Sequence, residues 1–448
     1  MSYVLHRTLT STPLTVTHGE GNYLIDADGK RYLDASGGAA VSCLGHSNAS
    51  VRSAISKQLE RLAFAHSSYF TNQPAEDLAA FLVQRAPPGT GDGRVMFLGS
   101  GSEAMEAAIK LARQYHVENR QPSRSKLIAR APSYHGNTLV ALATGGHAAR
   151  RKPFAPLLID VAHIDAAYDY RQRHAAETED AFAARMAALL EQKIQDLGPE
   201  TVAAFVAEPV VGASLGSQPA PAGYFARIRD ICDRHGVLLI ADEVMCGIGR
   251  TGTCFALEQE GIAADITTMA KGLGAGYQPI AAVMAAEKVT GMIAENSGTL
   301  WNGHTYMSHA IAAAGALAVL RYIEDNNLLE NVVKRGDQLS AALNERLGQN
   351  PHVGDIRGRG LFWSVEIVRD RTSKAPFDAS LSIAPKIRTA ALEAGLICYP
   401  SQGCADGLNG DHVLLAPAYT STAEEIDLIV GTIGDVIDSV LEKAVPFS

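Results

Sequence analysis

The chain has 448 residues, of which 47% are hydrophobic and 19% charged, with a formal net charge of −9. That length exceeds one ordinary core and predicts two or three lobes, or one large α/β domain with accessory segments, while the apolar content excludes a disordered chain. The only short basic run, Arg150-Arg151-Lys152 before Pro153, reads as a solvated loop, so nucleic acid is not an expected partner.

The cysteines at 43, 232, 246, 254, 398 and 404 show no C-x-x-C pair and no zinc or disulfide spacing. Reduced thiols in a cytoplasmic protein are expected, with no metal. No uncharged run reaches the roughly 20 residues that span a bilayer, and residues 1–13 lack an apolar signal core, so no membrane partner is expected.

In chain order, residues 21–34 (GNYLIDADGKRYLD) alternate apolar and polar residues about Asp28-Gly29, which predicts a β-hairpin outside the main domain. Helical periodicity follows over 51–62 and 74–85, with Pro74 suited to a first helical turn. Short apolar runs then recur at 95–98, 127–129, 202–207, 237–241, 266–270 and 280–285, separated by helical stretches. Such runs are strands buried on both faces, and their alternation with helices predicts a mostly parallel sheet whose ligand lies beyond the strands' C-terminal ends. The Ala-rich piece 175–188 reads as a helix. After an amphipathic stretch at 309–325 come a helix over 329–347, apolar segments at 353–356, 361–367 and 413–415, and a helix over 382–394, which together predict an α+β lobe.

Four strand exits carry unusual chemistry. Gly99-Ser100-Gly101-Ser102 opens a helix, where free amides and the helix dipole favour an anion such as phosphate; a serine-capped tight turn explains it equally well. Asp242-Glu243 ends a buried run, which is costly for charge unless each carboxylate has a partner. That partner is either a metal, for which no ligand cluster appears, or a protonated ring nitrogen. Lys271 ends another buried run, and desolvation lowers an amine's pKa and makes it nucleophilic toward an aldehyde; a lysine reaching out to solvent is the plainer reading. The 29 residues from Asp242 to Lys271 suit one strand, helix, strand unit, so acid and amine can occupy neighbouring strand ends. Finally, Tyr134 follows the 127–129 run and could stack on a flat ligand or simply pack in the core.

Taken together, GSGSEA (99–104), SYHG (133–136), AEPV (207–210), ADEVMCGIGRTG (241–252), AKGLGAGYQP (270–279) and GHTY (303–306) resemble the class III (ω-) aminotransferases of the type I pyridoxal-phosphate fold over roughly residues 15–440. The resemblance implies an α/β large domain at 71–325, with a mostly parallel sheet flanked by helices. It also implies a smaller α+β domain built from both termini, with residues 1–70 joining 326–448. The cofactor implied is pyridoxal 5′-phosphate, carried by Lys271 as a Schiff base, with Asp242 pairing the pyridine nitrogen. Val244 and Tyr134 are implied on its two faces, Gly101 and Ser102 at its phosphate, and His135 and Glu208 nearby. Thr305 is implied at the phosphate of a neighbouring subunit, which requires a homodimer with shared sites, or a tetramer built from such dimers. The reaction implied is a ping-pong transfer from an ω-amino acid or primary amine to a keto acid, pyruvate in the usual case. The same family also contains racemases, decarboxylases and lyases, and fold does not choose among them.

Two departures bear on the substrate. The stretch 396–422 (LICYPSQGCADGLNGDHVLLAPAYTST) contains no arginine where many relatives carry a mobile, carboxylate-pairing one, and Tyr399 stands near that place. Arg357 and Arg359 are then the candidates for carboxylate recognition, or else members of structural ion pairs. Ala418 also replaces the second proline of a Pro-Pro pair. Residues 36–40 (SGGAA), ending at Ala40, offer only small side chains, which implies a roomy pocket lined by Tyr69 and Phe70.

Overall fold

The computed structural model describes residues 2–444. Its centre is a seven-stranded sheet with the spatial order Arg94–Leu98, Ala281–Ala285, Ile266–Met269, Leu238–Asp242, Val202–Ala207, Lys126–Ala131 and Ala162–Asp165. The Ala281–Ala285 strand pairs antiparallel with both neighbours, and the five strands beyond it run parallel. Ala162–Asp165 (AHID), at one edge, carries no apolar run, which is why the sequence pattern does not reveal it.

Helices cover both faces. Gly101–Glu118 packs its Ala104, Ala108, Leu111 and Tyr115 stripe against the inward residues of one face, and Glu179–Leu197 with Tyr224–His235 cover the other. The alanines of the first stripe let the helix approach the sheet closely. Helix Glu179–Leu197 begins four residues later than the Ala-rich run, because Thr178 caps it by accepting a hydrogen bond from the Ala181 amide at 3.2 Å. The basic run also differs from its reading as a solvated loop: Ala148–Arg151 is a short helix continued by a 3-10 turn over Lys152–Leu157.

The chain's two ends share structure. Strands Val16–Glu20, Tyr23–Asp26 and Arg31–Asp34 form an antiparallel sheet whose last member pairs in parallel with Leu396–Ile397. The hairpin turns at Asp28-Gly29 as its sequence predicts, and Asp26 Oδ1 accepts hydrogen bonds from the Asp28 and Lys30 amides. Helix Ala49–Arg61 instead packs against Ala310–Asp325. A second four-stranded antiparallel sheet, ordered Val353–Arg359, Phe362–Ile367, Asp411–Leu415 and Tyr399–Gln402, is covered by helices Leu328–Leu347, Ile383–Glu393 and Ala423–Ala444. Among the described residues no helix is long and apolar enough to cross a membrane.

Candidate active site

Parallel register brings the strand exits together. Ala207 is opposite Ala241 and Asp242 is opposite Thr268, so Glu208, Asp242 and the residues after Met269 leave the sheet at one end. The Lys126–Ala131 strand runs beside Val202–Ala207 in the same direction and delivers Tyr134 and His135 there. Between these exits lies a cleft of about 300 Å³, whose walls include Gly101, Ser102, Tyr134, His135, Glu208, Asp242, Val244 and Lys271.

Lys271 begins a 3-10 turn with φ +45°, a left-handed conformation that costs a non-glycine residue on the order of 1 kcal/mol. Its carbonyl accepts hydrogen bonds from the Gly274 and Ala275 amides, both at 3.0 Å, and these hold the turn. Burial lowers its amine from 10.5 to about 8, and the opposing pull of Asp242, then Glu208, prevents a larger fall.

Asp242 is 4% exposed yet well partnered. The His135 ring donates from Nδ1 to its Oδ2 at 2.8 Å, and the Val244 amide donates to Oδ1 at 3.0 Å. An Nδ1 donor leaves His135 Nε2 buried with no partner among the described residues. Glu208 accepts from the Tyr134 amide at 3.1 Å and the Gly212 amide at 2.9 Å, so it ties two exit loops together, and burial raises its carboxyl. Glu243 points away from the cleft and caps the 3-10 helix Ala256–Glu260 by accepting from the Ala256 and Leu257 amides. Both acids of the Asp242-Glu243 pair therefore have partners, as their burial demands.

The turn over residues 99–102 is sterically tight. A Cβ on Gly101 would stand 3.0 Å from Val244 Cγ1, and one on Gly136 would stand 2.8 Å from Ser102 Oγ. Ser102 Oγ itself accepts from the Asn137 amide at 2.9 Å. The Ser100 side chain caps the helix by accepting from the Glu103 amide. Among the described residues no His, Cys, Asp and Glu cluster could hold a metal ion.

Other candidates lie off the cleft of the single chain. Ala40 is buried beside Met245 and Leu414, while Tyr69 and Phe70 are 81% and 68% exposed and do not line it. Thr305 is likewise exposed. Arg357 is committed elsewhere, donating to Asp355 at 2.8 Å, Glu366 at 2.7 Å and the Gly216 carbonyl at 2.9 Å, and Arg359 pairs with Glu260 at 2.9 Å. Both are structural ion pairs.

A doubly flanked, mostly parallel sheet with lysine and paired carboxylate at adjoining strand ends defines an α/β enzyme that works on a ligand seated across those ends. The class-III aminotransferase family matches residues 4–437, and this chain belongs to it. It is 43% identical over 440 residues to an aminotransferase of Gibberella zeae, covering 97% of this chain and 85% of that protein. It is 35% identical over 429 residues to the vanillin aminotransferase of Capsicum annuum, covering 95% and 91%. The solved omega transaminase from Pseudomonas jessenii in complex with PMP matches it with a TM-score of 0.91 at 35% identity, covering 97% of this chain and 94% of that one.

Proposed function

We propose that this transaminase moves an amino group from a primary amine or ω-amino acid to a small keto acid such as pyruvate, with pyridoxal phosphate held in the cleft between Tyr134 and Val244. The observation that carries the reading is the convergence of a desolvated lysine amine and a hydrogen-bonded aspartate on one cleft beside a glycine-lined anion cradle. The omega transaminase in complex with PMP and the vanillin aminotransferase are the relatives that support the substrate class.

The cofactor, when bound, supplies an aldehyde and a ring that accepts the electron pair left on the substrate carbon. Lys271 Nζ, an amine near pKa 8, would be the group that holds and moves a proton between the substrate carbon and the cofactor. Asp242, fixed by the His135 ring, would pair with the ring nitrogen and favour its protonated form. The Gly101 turn and Ser102 would hold the phosphate, and Gly136 leaves room for Ser102. Thr305 serves the phosphate of a second copy, so the working unit is a homodimer.

Borohydride treatment of the holoenzyme should fix the cofactor on the peptide bearing Lys271, as read by mass spectrometry. Lys271→Ala should lower transfer by several orders of magnitude, about 10³-fold or more, while retaining weak cofactor binding. Labelling of a different lysine, or near-normal transfer by the variant, would overturn the assignment.

A further inference from the structure

A keto acid brings a carboxylate into the cleft, and a charge that loses its water must find a partner. The stretch 396–422 has no arginine, and Arg357 and Arg359 are spent in ion pairs. Arg250 donates to the Leu361 and Pro417 carbonyls, and Arg130 to the Glu208 carbonyl.

Arg150 is different. It stands half-buried in the short helix Ala148–Arg151, with its guanidinium carbon 4.6 Å from the centre of the Tyr134 ring, which is a wall of the cleft. Its side chain makes no hydrogen bond or ion pair with any described residue. The helix sits against the arginine-free stretch: His147 Nε2 is 3.3 Å from the Gln402 carbonyl, and the Ala149 amide donates to the Gly407 carbonyl at 3.4 Å. Its positive charge reaches Lys271, where it lowers the amine's affinity for a proton.

We propose that Arg150 is the residue that pairs the substrate carboxylate, supplied from the wall facing the stretch that lacks an arginine; this rests on the aminotransferase reading above. The guanidinium forks onto the carboxylate of a small 2-oxo acid or amino acid, and with an uncharged partner it stays stacked on Tyr134. The class of acceptor this favours is a short monocarboxylate whose reacting carbon lies next to the carboxylate.

The test compares wild-type holoenzyme with Arg150→Ala and Arg150→Lys, using pyruvate and uncharged propanal as acceptors. The ratio of kcat/KM for pyruvate over propanal should fall roughly 10- to 100-fold in Arg150→Ala, mainly through KM, with Arg150→Lys in between. Affinity for propionate, a carboxylate that does not react, should fall in step when measured by titration calorimetry. An unchanged ratio, or loss of both acceptors together, would show that Arg150 only supports Tyr134 and would overturn the proposal. If the wild type transfers no amino group at all, the aminotransferase reading fails by itself. The propionate titration then decides on Arg150, since equal affinity in wild type and Arg150→Ala refutes the carboxylate site.

Discussion

Lys271 combines a left-handed backbone with a desolvated amine, two residues beyond the end of a buried strand. In the apoprotein its reaction with an added aldehyde should rise through a midpoint near pH 8, where the amine loses its proton. Asp242 and Glu208 pull that midpoint upward, so Asp242→Asn should move it below 8. A fluorogenic aldehyde titrated from pH 6 to about 10 reads the shift, and a midpoint that rises in the variant would contradict the electrostatic account. Lys271 and Asp242 were legible in the sequence because charge at the end of an apolar run is rare enough to demand a reason. The His135 bond to Asp242 was not legible, since 107 residues separate the partners and no local pattern records which strand exits meet. Arg150 was hidden for the converse reason: basic residues beside a proline look like solvated surface until the ring beneath them is known.

At the level of elements, the strand ends depend on short loops held by side chains. Glu243 satisfies two amides at the start of the Ala256–Glu260 turn, and burial raises its carboxyl to about 7. Glu243→Ala leaves both amides without that partner, which should cost about 1–3 kcal/mol and lower the thermal midpoint. The sign of its pH dependence follows from the raised value. Stability from this group is present below the ordinary carboxyl value of 4.5 and is lost as pH climbs through about 7, so wild type and variant should converge toward alkaline pH. Divergence there would refute the burial argument. The buried strands were legible as apolar runs, but the direction of Ala281–Ala285 was not. A strand buried on both faces has the same composition whichever way it runs, and only the connection that precedes it decides.

The whole molecule places Thr305 on the outside of the chain that carries it, although the proposed role is at a phosphate. A mixed dimer tests this. In a hybrid of Lys271→Ala and Thr305→Ala subunits, one site carries both lesions and the other carries neither. Co-refolding the two weakened proteins should therefore restore transfer at one site per hybrid, measured against each parent alone. No recovery would mean that Thr305 serves its own chain or none. The mixed helix and strand beyond residue 326 was visible as a change from the unalternated apolar runs before it. The pairing of Leu396–Ile397 with the first hairpin was not, because two residues carry no pattern of their own.

That last pairing has a consequence for biosynthesis. Asp34 is joined in its sheet to Ile397, and Leu33 to Leu396, a partner 363 positions downstream. At a ribosome adding ~5–20 residues per second, the early hairpin waits on the order of 20–70 s with one edge open. Until the final lobe emerges, that open edge is a surface that a nascent-chain chaperone can cover and a neighbouring polysome can mispair.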